Sequence, residues 1–145
     1  MKIKDILTHL LNLEESIKYE TMRYETMLDI QAVKITNEPK LENNHTPAIQ
    51  RTLEKRHKLK NRIDKMINER EGIEDYIENL CDRIPQKQRI IIELRYIDGM
   101  EWRDVGDTLF LNESDYLDNY KKYHHRMMVL QSNAIKSLEK VRATA

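Results

Sequence analysis

The chain has 145 residues, with 25 basic and 25 acidic side chains but only three glycines, three prolines and one cysteine. Gly and Pro together average about 12% of ordinary chains, so this scarcity excludes a sandwich or barrel built on many tight turns. A charged fraction of 34%, with aliphatics spread at intervals, points to long solvated helices. No run approaches the ~18 consecutive apolar residues of a membrane helix. The opening MKIKDILTHLLNLEES becomes charged too soon to be a secretory leader. A lone Cys81 forms no internal disulfide, so a reducing, cytoplasmic setting and no membrane association are expected.

A net charge of zero argues by itself against a nucleic-acid partner, but the charges are segregated. Residues 51–65 carry a net +5, 66–82 a net −5, 85–118 a net −4 and 119–145 a net +5. Electrostatic attraction acts over a Debye length of ~8 Å, so local patches outweigh the sum.

The first predicted helix runs from about Lys2 to Lys34. Its apolar positions Ile6, Leu10, Leu13, Ile17, Tyr24 and Met27 recur at heptad-like steps, interrupted at Glu20 and widened by Leu7, Leu11 and Leu28. Ile35 to Gln50, with two prolines and no periodicity, reads as a reversing loop. Asn43, Asn44 or Thr46 is then the cap and Pro47 lies in the next first turn.

A second helix, from about Ala48 to Asp82, carries the cleaner seam: Leu59, Ile63, Met66, Arg70, Ile73, Ile77, Leu80 and Ile84, polar only at Arg70. Gly72 weakens it by about 1 kcal/mol relative to Ala. Two helices of this length imply an antiparallel, coiled-coil-like hairpin about 50 Å long. One side of each seam stays open, so self-association or packing on the rest of the chain is expected. Residues 1–82 are read as an association domain, with a homo-oligomer, most simply a dimer, favoured over a compact bundle without an oligomeric role.

From Arg83 the grammar changes. Pro85 opens a short apolar helix with Ile91, Leu94 and Ile97 on one face. Gly99 supplies a turn at positive φ, and a second short helix turns Trp102, Val105 and Leu109 inward. Gly106 falls where a crossing helix needs a residue without a side chain. Two short helices across a tight glycine turn form a helix-turn-helix signature, and residues 83–145 are its domain.

These residues resemble a known family. Ile84-Pro85, then Leu94-Arg95-Tyr96-Ile97-Asp98-Gly99-Met100, then Trp102-Arg103-Asp104-Val105-Gly106-Asp107 look like region 4 of sigma-70-type factors. They are similar in particular to the small phage late-gene transcription regulators of the ArpU/RinA-like group. The resemblance runs from Arg83 to Val141. It implies an all-α protein of the bacterial host cytoplasm that binds double-stranded promoter DNA and contacts host RNA polymerase.

The chain departs from that pattern in two places. Glu101, a poor cap, stands where the family has Ser or Thr. Matched from its end, with Met127, Leu130, Ala134, Ile135 and Leu138 on the family's core positions, the chain has its reading turn at Tyr123-His124-His125-Arg126 and about ten additional residues after Leu109. The preferred alternative is a continuous helix. Tyr116, Tyr120, Tyr123, Met127, Leu130, Ala134, Leu138 and Val141 form an unbroken seam, which predicts a single extended last helix of ~28 residues capped by Asn112 or Ser114. Glu113, Asp115 and Asp118 would stabilise its positive end, and would repel a phosphate there.

Lys121, Lys122, His124, His125 and Arg126 cluster beside this seam. The cations suit phosphates, while His124, His125, Val129, Ser132 and Asn133 lie off the core face within reach of base edges. Lys136 extends the surface, and Gln86, Lys87 and Arg89 could add backbone contacts. The basic run Arg51 to Arg62 is a second candidate DNA or RNA surface, but ion pairing against Glu14, Glu15, Glu20 and Glu25 of the first helix is the preferred account.

Adjacent His124 and His125 point about 100° apart on a helix and cannot chelate one ion. Cys81 belongs to the core. Without a phosphate loop, G-x-S-x-G or H-E-x-x-H, neither catalysis nor a cofactor is expected. Two other functional classes fit the same features: a helical interaction module that modulates transcription without DNA, docking through the acidic Glu113–Asp118 tip, and a viral small terminase subunit.

Overall fold

The computed structural model describes residues 1–37 and 47–144, the side chains of 28–37 and 47 excepted. Among the described residues the protein is all-helical, without a strand. Helix α1 spans Ile3–Asn37, α2 Pro47–Cys81, α3 Gln86–Ile92, α4 Trp102–Phe110 and α5 Tyr120–Thr144; a π-helical turn, Glu93–Ile97, continues α3. The segment expected to be a loop, Ile35 to Gln50, is therefore helical at both described ends. The expected caps Asn43, Asn44 and Thr46 lie outside the described residues, as do the side chains of Leu28 and Pro47.

Packing divides the chain into two compact units. One is Leu13–Arg70; the other combines Met1–Asn12 with Glu71–Ala145.

In the first unit, Leu13, Leu59 and Ile63 are buried, as their seam positions require. The polar interruptions of both seams are paired there. Arg70 donates to Glu14, Arg62 donates to the Glu20 carboxylate at 3.0 Å, and the Arg56 guanidinium lies 5.4 Å from the Tyr24 ring centroid. As the α1 partner rises from 14 to 20 to 24, the α2 partner falls from 70 to 62 to 56. The two stretches are thus antiparallel.

The second unit holds the larger core. Ile3, Leu7 and Leu10 of α1, Ile77, Leu80 and Cys81 of α2, Ile91 and Ile92 of α3, Val105 of α4 and Met127, Ala134 and Leu138 of α5 form one buried cluster. Each fully buried Ile or Leu contributes roughly 1.5–3 kcal/mol. The first backbone N–H of α1, that of Ile3, donates to Glu139 of α5 at 2.6 Å, supplying one of the acceptors that every helix start lacks.

The π-turn changes the expected face of α3. Asp98 N–H reaches the Glu93 carbonyl at 2.8 Å, five residues back. The extra residue in this turn rotates the residues after it about the helix axis. Ile91, Ile92 and Tyr96 are buried, whereas Leu94 and Ile97 are only half-buried. Gly99 then takes φ 71°, which favours glycine. Arg95 ties the turn together by donating to the Met100 carbonyl at 2.8 Å while lying 4.9 Å from the Trp102 ring centroid. Glu101 precedes α4 without a side-chain cap bond.

The last helix is shorter than its seam predicts. It has 25 residues and begins at Tyr120, not near Ser114. Residues 111–118 form turns instead, linked by Glu113 N–H to the Phe110 carbonyl and Tyr116 N–H to the Glu113 carbonyl. The reason is Tyr116, which is 3% exposed. Its hydroxyl donates to Asp107 at 2.8 Å, and its ring meets Phe110 and, edge-on, Tyr123. Folding this side chain back over α4 competes with another helical turn and prevails. A Cβ on Gly106 would stand 3.0 Å from the Tyr116 hydroxyl and 3.7 Å from Met127 Sδ. The missing side chain at Gly106 thus makes room first for a tyrosine of the connecting turn, and only second for the crossing helix.

Candidate nucleic-acid interface

Helix α5 is two-sided. Tyr123, Met127, Ala134 and Leu138 are buried at four- and seven-residue intervals. On the opposite side Lys121, His125, Val129, Ser132, Lys136 and Lys140 are exposed, each four or three residues from the last. At 1.5 Å per residue this outward row extends over about 28 Å. Lys140 is absent from the expected set, although its spacing from Lys136 already places it there. The only acid on α5, Glu139, is half-buried and bound to Ile3, so no carboxylate interrupts the outward row, whose cations Lys121, Lys136 and Lys140 stand at its two ends.

The remaining candidates differ in how far they are engaged. Lys122 is exposed but lies 3.7 Å from Asp115 and 5.5 Å from the Tyr123 ring centroid. His124 stacks on Tyr120, the ring centroids 6.2 Å apart. Arg126, also exposed, lays its guanidinium 5.2 Å from the Tyr123 centroid and 5.6 Å from Phe110, which holds a flat donor array in place at the protein surface. Asn133 is exposed beside Val129. On α3, Lys87 is exposed, whereas Arg89 is bound to Glu93 at 2.8 Å and lies 3.6 Å from Asp82. The Glu93 hydrogen bond pushes the Arg89 pKa still higher, and the two carboxylates compensate its charge locally.

Between α3, the end of α4 and α5 runs an open groove of about 580 Å³. Ile90, Leu109, Phe110, Val129 and Leu130 line it with apolar surface, and Lys87, Glu113, His125, Arg126 and Asn133 stand around them. Lys87, His125, Arg126, Val129 and Asn133, five of the twelve expected contact residues, therefore border one depression. Sequence reasoning misses the apolar lining because Ile90, Leu109 and Phe110 look like interior residues. Only the crossing of three helices leaves them half-exposed.

The acidic turn is engaged with the start of α5. Asp115 accepts a hydrogen bond from the Tyr123 hydroxyl, which together with the Lys122 ammonium holds its carboxyl below the usual range. The same bond raises the Tyr123 phenol. Burial, then the bond to Asp107, pushes the Tyr116 phenol up to about 12. Cys81 is buried, and its thiol is pushed up to about 12, chiefly by desolvation. Such a thiol is a packing group, not a nucleophile.

Among the described residues no three His, Cys, Asp or Glu side chains converge on a metal position. Nor is any described helix long and apolar enough to cross a membrane. Comparison with known proteins finds no matching family model, no matching curated protein and no matching solved structure.

Proposed function

We propose that this protein is a DNA-binding transcription regulator that presents the outward row of α5 to the major groove. The observation that carries this reading is the row itself: exposed Lys121, Lys136 and Lys140 for phosphates, interleaved with His125, Val129, Ser132 and, at its flank, Asn133 for base edges. Arg126 and Lys87 border the adjoining groove and extend the phosphate contacts. The two short helices joined through Gly99 act as the helix-turn-helix that carries α5. The motif resemblance supports a phage late-gene activator working beside host RNA polymerase in the bacterial cytoplasm, with the α1–α2 hairpin associating two copies.

Mobility shifts with promoter fragments at low and physiological salt test this. Salt-sensitive binding that is lost on charge reversal of Lys121 and Lys136 is the expected result; absence of salt-sensitive binding to any duplex overturns it. A second reading, a protein-interaction module, draws on the apolar lining of the groove. Under that reading Val129→Glu abolishes the transcriptional effect while reversal of Lys121 and Lys136 leaves it intact.

A further inference from the structure

The basic run on α2 has a geometry that its composition conceals. Arg51, Lys55, Lys58, Arg62 and Lys65 recur at alternating four- and three-residue steps, so they share one face of the helix, and all five are exposed. Ion pairing to α1, the preferred account of these charges, holds only for Arg62, which is bound to Glu20. Among the described residues Arg51, Lys55, Lys58 and Lys65 make no ion pair. Apart from Glu20 of α1, the acids nearest this face are those of α2 itself, Glu54 on its flank and Glu69, which ends the row and is engaged in an interaction of its own. Asp64 lies well to one side.

We propose that this face of α2 is a second contact surface for the phosphate backbone of duplex DNA. It rests on the DNA-binding reading of α5 only for the identity of the ligand. Successive cations rise by about 5 Å, and the row covers about 21 Å. A duplex carries one charge per ~1.7 Å of axis, so a rod of this length passes about a dozen phosphates, ample for four lysine or arginine contacts. Cations without base-reading neighbours supply affinity and register rather than sequence preference. A lipid surface fits less well. It requires an apolar face to insert, but Leu59 and Ile63 are buried in their own unit, and the exposed Leu53 and Ile67 lie about half a turn round the helix.

The test measures binding of the full chain to a mixed-sequence duplex across a salt series. Each phosphate neutralised contributes about 0.9 to the slope of log K against log salt, so replacing Arg51, Lys55, Lys58 and Lys65 together by Gln flattens the slope by roughly 3–4. A fourfold rise in salt then weakens this variant roughly a hundredfold less than the parent. The Arg51→Lys, Lys55→Arg, Lys58→Arg, Lys65→Arg variant keeps the parental slope, which separates loss of charge from loss of fold. An unchanged slope in the Gln variant, or parental binding to anionic vesicles in place of duplex, overturns the proposal.

A parallel Lys121→Gln, Lys136→Gln variant separates the two readings. If it alone loses affinity, the α2 surface is refuted and the role of α5 stands. If the α2 variant alone flattens the slope, the role of α5 falls and the α2 surface stands. No salt-sensitive binding by the parent refutes both.

Discussion

Replacing Gly106 by Ala sets two effects of known sign against each other. Alanine in a helix interior is favoured over glycine by about 1 kcal/mol. Its Cβ, however, would come within 3.0 Å of the Tyr116 hydroxyl. That hydroxyl is the end of a long side chain, but it has little room to yield, because Phe110 and Tyr123 hold the ring and Asp107 holds the oxygen at 2.8 Å. Moving it sacrifices a hydrogen bond to a carboxylate, worth about 1.5–3 kcal/mol. Gly106→Ala should therefore destabilise the parent by about 0.5–2 kcal/mol, a fall in Tm of roughly 2–6 °C for a chain of this size. In a Tyr116→Phe background the next atoms are 3.7 and 3.9 Å away, in ordinary contact. There the same substitution should stabilise by about 1 kcal/mol. Urea and thermal denaturation of the four proteins in this cycle reveal the reversal of sign. If alanine stabilises both backgrounds equally, Tyr116 yields freely and its role in ending the turn segment is refuted.

Asp115 has a depressed folded-state pKa, so its contribution is present above the ordinary carboxylate pKa and is lost as pH falls through the folded value. Asp115→Asn should be less stable than the parent at neutral pH, with the gap closing in acid; a gap independent of pH contradicts this. Cys81, raised to about 12, contributes fully below the ordinary thiol pKa and progressively less as pH climbs toward 12. Its reaction with Ellman's reagent at neutral pH should be slow in the native protein and immediate in denaturant, and equal rates would place the thiol at the surface. Glu139→Ala removes the acceptor of the Ile3 N–H and should cost about 1–2 kcal/mol, with faster amide exchange at Ile3. An unchanged exchange rate there refutes the capping role.

The sequence reveals most clearly what periodicity controls. Leu10, Leu13, Leu59, Ile63, Ile77 and Leu80 are buried as a heptad reading requires, whereas Ile6, Ile17, Met66 and Ile73 of the same seams are only half-buried and Ile3 and Leu7 beside them are fully buried. Arg70 and Glu20, which break the pattern, are half-buried with partners on the other helix. Gly99 announces its positive φ because so few residues adopt it. Periodicity misleads where a local event resets it. The π-turn at Glu93–Ile97 has no residue signature, yet it brings Tyr96 rather than Leu94 into the core. The seam from Tyr116 to Tyr123 runs on in sequence through residues that are not helical, because a tyrosine suits a helix face and a folded-back turn equally well. The outward row of α5 is legible from the same arithmetic as its buried face, whereas the groove beside it is not. Its lining comes from three helices, and no single stretch records how far apart they pack.

A neutral chain gains a directed electrostatic field if its acids and bases are placed differently. Several acids here serve as internal acceptors: Glu139 for Ile3, Asp107 for Tyr116, Asp115 for Tyr123, Glu93 for Arg89, and Glu14 and Glu20 for Arg70 and Arg62. Carboxylates suit this work because a short side chain with two oxygens accepts from backbone N–H, phenol and guanidinium alike. Lysine, a hydrated point charge on a flexible stem, gains little from such fixed geometry and is left outward, as at Lys121, Lys136 and Lys140 on α5 and Lys55, Lys58 and Lys65 on α2. Ion pairing cancels charge in place, so what a distant polyanion meets within a Debye length is the outward remainder and not the formal sum. The zero net charge and the two cationic rows are therefore compatible, and they arise from the different chemistry of the side chains that carry each sign.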